Sequence, residues 1–509
     1  MWCHGFRQGR VRAALLCVCL LAVACGDDHL ALGKDLANVA SAEQVLPELG
    51  CFGEVNTPGR CGRNLDCPDG QRCIFDVAAS WTDRAPVPLT CGSAVGAVAA
   101  RAVCKLGSDC ESGLCSLSGT CIEPCKSRAD CGDENHCRPV EARVGDALGP
   151  VKACVRPLVL PDDVEFTVSP QVSDLRRGVS TIAVPGASHP AIVYVQSGCA
   201  RGFDVLRLRS LDMARELYDR DALAAGARAQ NTVLHDGSSL LALVFPNNPQ
   251  LAPSRLGLTL EVQAGASEHA EVVVASRKRG LGVLDLNLFY AGGGSDMVEG
   301  GFRPGEHRIA VLLRKLDLRL QRIGLGLGQV HEHEVVGVAR EELSVLDVPK
   351  RKVGDLLIEG RPARLDELFR LSAGVGTLGI NVFLIREMGD YIGIAGGIPG
   401  VVGLHGSERS GLALAVDMLG DLDGAEVVLM HEIGHFLGLF HTSESSGAVL
   451  DPLTDTPECG SEQDLDHDHS LSAFECMGHG GDNLMFWTGA GATLTPQQIS
   501  VMADSVLFR

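Results

Sequence analysis

Apolar and polar positions change rhythm along this chain. Between residues 157 and 268, short runs at Ala191 to Val195, Asp204 to Arg209, Leu240 to Phe245 and Gly257 to Val262 are separated by turns of Gly, Pro and Asn. Regular short runs predict an antiparallel, β-sandwich-like accessory domain. From 269 to 509 the rhythm mixes. Val283 to Tyr290 alternates as a strand, Pro304 opens a helical period that lasts to Arg322, and Gly379 to Arg386 and Leu412 to Met418 are further strands. An apolar helix around Val427, Val428 and Met430 follows, so this region is expected to be an α/β (α+β) domain. The strand at 412–418 is expected at a sheet edge, where an extended peptide could pair.

Residues 51–156 follow neither rhythm. Of the 20 cysteines, thirteen lie between Cys51 and Cys154, with recurring spacings: Cys61, Cys67, Cys73; Cys104, Cys110, Cys115, Cys121; Cys125, Cys131, Cys137. Asp66, Asp109 and Asp130 each precede a second cysteine. Too few apolar residues are present to bury a core, and Cys-x-x-Cys pairs are absent, so the region reads as a disulfide framework and not as zinc knuckles. The fold class is therefore multidomain.

Disulfides imply an oxidising compartment, and the first 25 residues agree. Arg7, Arg10 and Arg12 precede an apolar run from Ala13 to Ala24, the layout of a signal peptide and too short to span a membrane. Leu21 to Cys25 resembles a bacterial lipoprotein cleavage site, which implies lipid on Cys25, and Gly26 then implies the outer membrane; cleavage after a small residue, giving a secreted protein, is the alternative. Residues 26–50 read as a linker. A net charge of -20 argues against nucleic acid and anionic membrane surfaces as partners.

Chemistry is concentrated in one stretch, His431-Glu-Ile-Gly-His435-Phe-Leu-Gly438-Leu-Phe-His441. On a helix, His431 and His435 share a face one turn apart, close enough to bind one metal ion. Glu432 then stands beside the metal as a general base. Gly438 allows a left-handed exit that returns His441 as third ligand. At average residue usage such a pattern arises by chance in a chain this long on the order of once in tens of thousands.

This motif, with Met485 in Asn483-Leu-Met-Phe486, resembles the metzincin zinc metalloproteases. Asp455-Thr-Pro457 and Leu494-Thr-Pro-Gln-Gln-Ile499 narrow the resemblance to the pappalysin-type family, from Ala425 to Phe508. It implies that His431, His435 and His441 hold zinc, that Glu432 is catalytic, and that proteins or peptides are the substrates. It also implies calcium near Asp464, Asp466 and Asp468, although the glycine and terminal glutamate of a helix-loop-helix calcium site are missing. Trp487 stands where relatives often carry a tyrosine, and it lacks the hydroxyl.

Other features read as structural. Gly324, Gly326 and Gly328 follow a helix and are expected to form a turn, and His331 to Glu334 is expected to be a solvated strand face. Cys459 and Cys476 flank the loop between the third ligand and Met485 and are expected to pair. Cys199 either bridges to the cysteine-rich region or, as a free thiol, plugs the open metal position. The expected function is a secreted or lipid-anchored zinc endopeptidase. The rival is a surface-binding protein whose zinc domain has little turnover.

Overall fold

In the computed structural model, the described residues run from 61 to 508 with breaks, the longer ones at 80–86, 156–163, 198–202, 234–239, 293–304, 336–341 and 417–421. The signal segment, Cys25, the 26–50 linker, Cys51 and Cys199 lie outside the described residues. Among the described residues no helix is long and apolar enough to cross a membrane.

The cysteine-rich region is a set of four-cysteine units with one pairing rule, first to third and second to fourth. Cys61–Cys73 and Cys67–Cys91 make the first unit, Cys104–Cys115 and Cys110–Cys121 the second, and Cys125–Cys137 and Cys131–Cys154 the third. The recurring aspartate closes the loop before each second cysteine. Asp66 accepts from the Gly62 amide at 2.8 Å, Asp109 from Leu106 at 3.0 Å and Asp130 from Lys126 at 2.9 Å. Short strands complete the region: β1 (Arg72–Phe75) with β2 (Leu89–Gly92), and β3 (Cys115–Ser116), β4 (His136–Val144) and β5 (Ala147–Val155) in a second sheet.

The middle region is two facing antiparallel sheets. Its strands are β6 (Val164–Val168), β7 (Ser173–Leu175), β8 (Gly178–Val184), β9 (Ala191–Ser197), β10 (Phe203–Ser210), β11 (Arg215–Asp219), β12 (Leu240–Phe245), β13 (Leu258–Ala264) and β14 (Glu268–Arg277), with helix α1 (Arg220–Ala224) after β11. One sheet has the order β11-β10-β13-β8, the other β12-β9-β14-β6 with β7 on β14. The expected boundary at 268/269 moves, because β14 hydrogen-bonds to β6, β7 and β9 as far as Arg277.

Alternation along β9 and β12 does two jobs. Val193, Val195, Leu241 and Leu243 point into the core between the two sheets. Ile192, Tyr194, Ala242 and Val244 belong instead to the core of the C-terminal region. A sheet buried on both faces cannot separate from either neighbour without exposing apolar surface.

The C-terminal region centres on a sheet of order β16-β15-β19-β21-β20, built from β15 (Val283–Tyr290), β16 (Gly326–Glu334), β19 (Ile380–Ile385), β20 (Gly393–Ala395) and β21 (Leu412–Ala415). A hairpin of β17 (Lys350–Val353) and β18 (Leu356–Glu359) lies between β16 and β19 in sequence. All pairings in the main sheet are parallel except β20 with β21. Helices are α2 (His307–Arg322), α3 (Leu365–Arg370), α4 (Leu422–Phe436) and α5 (Pro496–Ala503). Ile309, Leu312, Leu316 and Leu320 form the buried stripe of α2, at helical spacing.

Three expectations are corrected here. The strand before α4 is interior, since β20 covers β21, so the edge is Gly393–Ala395. Gly324 makes a turn at φ 79, but Gly326 and Gly328 already belong to β16. In the stretch His331 to Glu334 only Glu332 and Glu334 are exposed; His333 packs on Phe289 with ring centroids 4.6 Å apart.

Candidate metal centre

Apolar side chains bury α4 almost all round, so its polar residues lie inside the fold. His431, Glu432 and His435 are each at most 3% exposed, and His441 is 2% exposed. The helix ends in a paired exit: Leu439 donates to the Gly434 carbonyl and Gly438 to that of His435, both at 2.9 Å, with Gly438 at φ 106. That exit returns His441 to the helix face. One ring nitrogen from each of His431, His435 and His441 lies within 4.8 Å of the others.

The second ring nitrogens fix the tautomers. His431 Nδ1 faces the Leu484 carbonyl at 2.6 Å, His435 Nδ1 faces that of Leu439 at 2.8 Å, and His441 Nδ1 faces the Glu444 carboxylate at 3.0 Å. Each Nδ1 must carry a hydrogen to satisfy such a partner, which leaves Nε2 as a bare lone pair. His435 Nε2 and His441 Nε2 nevertheless stand 3.1 Å apart. Two lone pairs at that distance repel unless a cation lies between them. Protonation is opposed by burial, which pushes His431 down to about 3 and His435 well below the usual imidazole range. Three neutral imidazoles suit zinc in chemistry and number.

Burial pushes the Glu432 carboxyl up to about 8, against the lowering effects of His441 and an Ala395 backbone hydrogen bond. Its Oε2 is buried with no hydrogen-bond partner. Edge strand β20 reaches this carboxylate because Gly393 lacks a side chain; a Cβ there would stand 2.8 Å from Glu432 Cγ.

Met485 lies beneath the helix. A Cβ on Gly434 would meet Met485 Sδ at 2.6 Å, so the glycine inside the motif makes room for this residue. Asn483 caps the turn by accepting from the Met485 amide at 2.8 Å, and it exchanges hydrogen bonds with Gln498 on α5. Asp455 accepts from the Gln497 amide at 2.9 Å in the first turn of the same helix. The separate sequence marks thus form one framework.

Trp487 donates its ring N–H to the Leu471 carbonyl at 2.6 Å and packs with Cys459, Cys476 and Phe486. It braces a loop closed by the expected Cys459–Cys476 bond. Calcium finds no support. The loop gathers Asp464, Asp466 and Glu475 but leaves Asp468 out of that group. Their carboxylates already accept backbone amides: His469 on Asp464, Asp468 on Asp466, and Leu465 and Ser472 on Glu475.

Residues 416–507 match the family model described as Pregnancy-associated plasma protein-A, Peptidase_M43. This segment is pappalysin-like. It contains His431, Glu432, His435, His441 and Met485 together. No curated protein matches the chain. Among solved structures, a family two carbohydrate esterase from Cellvibrio japonicus shows 10% identity and a TM-score of 0.12, covering 34% of this chain and 53% of that one. An active-site mutant of a family two carbohydrate esterase from Clostridium thermocellum, in complex with celluohexase, shows 9% identity and 0.11, covering 43% and 65%. The chain thus spans less than two thirds of either, and likeness at these scores says nothing about its fold.

Three further residues contribute to the site without a mark in the histidine motif. Glu444 sits three residues after His441, a spacing that offered a signal. Arg319 on α2 pairs with Glu426 on α4 and also donates to the Ala492 carbonyl at 3.0 Å, so it ties the histidine helix to the C-terminal segment. Val244 of β12 lies against Gly438, 2.8 Å from where its Cβ would be. No local pattern announces the last two.

Proposed function

We propose that the protein is a zinc-dependent endopeptidase acting on proteins or peptides. The convergence of three imidazoles whose Nδ1 atoms all face acceptors carries this reading, because it turns Nε2 lone pairs of His435 and His441 toward one another at 3.1 Å. Zinc in that position would polarise a peptide carbonyl and make a water acidic enough to attack it. Glu432, beside the ligands and short of partners at Oε2, takes the proton of the attacking water and hands it to the leaving amine. Edge strand β20 offers backbone groups to an extended substrate. Trp487 supplies no oxyanion contact, since its N–H is committed to Leu471.

We further propose that the N-terminal segment directs export and that Cys25 carries lipid. Cys25→Ser then releases the protein from membranes or blocks its maturation; a mature N-terminus at any other residue excludes the anchor. The same Glu432 argues against a binding protein without turnover. Glu432→Ala is expected to keep about one zinc per chain and to lose hydrolysis of a diverse peptide library, whereas His435→Ala loses the metal. Full activity in Glu432→Ala would overturn the mechanism.

A further inference from the structure

The three imidazoles are not oriented by equivalent means. His431 and His435 rest on the backbone carbonyls of Leu484 and Leu439, which no substitution removes. His441 rests on a side chain, the Glu444 carboxylate, at 3.0 Å and only 12% exposed. It is also the ligand outside the helix, so the helical backbone does not set its direction.

Glu444 is itself held. Its amide donates to the Val449 carbonyl at 3.0 Å, and its carbonyl accepts from the Gly447 amide at 2.8 Å, which makes a tight turn between Ser443 and Leu450. The disulfide-closed loop clasps that turn from outside. Ser443 Oγ accepts from the Cys459 amide at 2.9 Å, and the Ser445 carbonyl accepts from the Leu471 amide at 2.7 Å. Gly447, at φ 67, brings the turn so near that a Cβ would stand 2.4 Å from the Ser461 nitrogen.

We infer that Glu444 is a positioning residue for the third ligand: its carboxylate holds His441 as the Nδ1–H tautomer with Nε2 turned inward, and the disulfide-braced loop keeps that carboxylate in place. The inference rests on the zinc reading above. A carboxylate on the far nitrogen of a ligating histidine raises its basicity and fixes its ring, and losing such a partner typically weakens metal binding by about 10–100-fold.

The test measures zinc dissociation by chelator competition, without reference to activity, in the full chain and in Glu444→Ala, Glu444→Gln and Glu444→Asp. Glu444→Ala is expected to bind zinc about 10–100-fold more weakly and to change the visible absorption of the cobalt-substituted protein. Glu444→Gln keeps an accepting oxygen at the same reach, so it should recover most of the affinity and the parent spectrum. Glu444→Asp keeps the charge but is one carbon shorter, and should resemble Glu444→Ala. Parent-like affinity in Glu444→Ala overturns the inference; so does a series in which Asp rescues and Gln does not, because charge alone would then explain it. If Glu444→Ala fails to fold, the contrast between Gln and Asp decides. A parent chain that binds no zinc would overturn the underlying reading as well, and is thereby distinguishable.

Discussion

Gly434 lies at the fourth position of the motif and looks replaceable, since alanine is the better helix former by about 1 kcal/mol. The packing beneath it decides otherwise. With Met485 Sδ 2.6 Å from the position of the missing Cβ, Gly434→Ala must displace the buried Met485 thioether, beside the Leu484 carbonyl that orients His431. Overpacking of this kind typically costs 1–3 kcal/mol, roughly. A lowered melting temperature is expected, measured by thermal denaturation of the metal-free protein, and a raised one would count against this packing. The convergence of His431, His435 and His441 was legible from spacing alone, because a motif of fixed offsets reports which side chains meet on one helix face. Glu444 was not, since its role depends on a turn whose shape is set by residues 459–471.

Strands and helices were legible where burial is one-sided or local. Leu240 to Phe245 and Val283 to Tyr290 came out at their observed bounds, because short runs of β-branched and large apolar residues between turns have few other uses. Sheet order was not legible. Which strand lies at the edge depends on how Gly393–Ala395 folds back beside β21, and three residues carry no periodicity. The α2–α4 packing was equally silent, although Arg319 and Glu426 are only 16% and 6% exposed at the side chain. Breaking a pair this buried leaves one charge stranded, so Arg319→Ala is expected to cost about 3–5 kcal/mol. The double change Arg319→Met with Glu426→Leu should recover much of that loss in denaturant titrations. Equal damage from the single and double changes would show that the pair itself is not what matters.

At the scale of the molecule, the six N-terminal disulfides use every cysteine from Cys61 to Cys154, which leaves Cys51 as the member of that region able to meet Cys199. We propose that these two are linked. Disulfide mapping by mass spectrometry is expected to yield a Cys51–Cys199 peptide; a free Cys199 whose change to alanine raises basal activity would favour the metal plug instead. The two-sheet region and the C-terminal region are joined more intimately. Tyr194 donates to the Val402 carbonyl at 2.9 Å and accepts from its amide at 2.7 Å, both buried, and Asn248 donates to the Pro452 carbonyl at 3.1 Å. Tyr194→Phe strands both groups of Val402 at a cost of roughly 1–3 kcal/mol. The loss should appear as one shifted calorimetric transition, not as the splitting of one transition into two.

The sheet shared by two cores also limits how this chain can be recombined. A fragment starting at Val283 contains every residue of the candidate metal centre, yet it strips Tyr194 from Val402 and Val244 from Gly438, at the turn that returns His441 to the helix face. The C-terminal region is therefore not a portable cassette. Ancestral or laboratory exchange of the segment alone should yield insoluble chains, and exchange succeeds only when β9, β12 and β14 travel with it. Expressing residues 283–508 beside residues 164–508 and comparing their soluble fractions tests this directly, with the longer fragment expected to stay in solution.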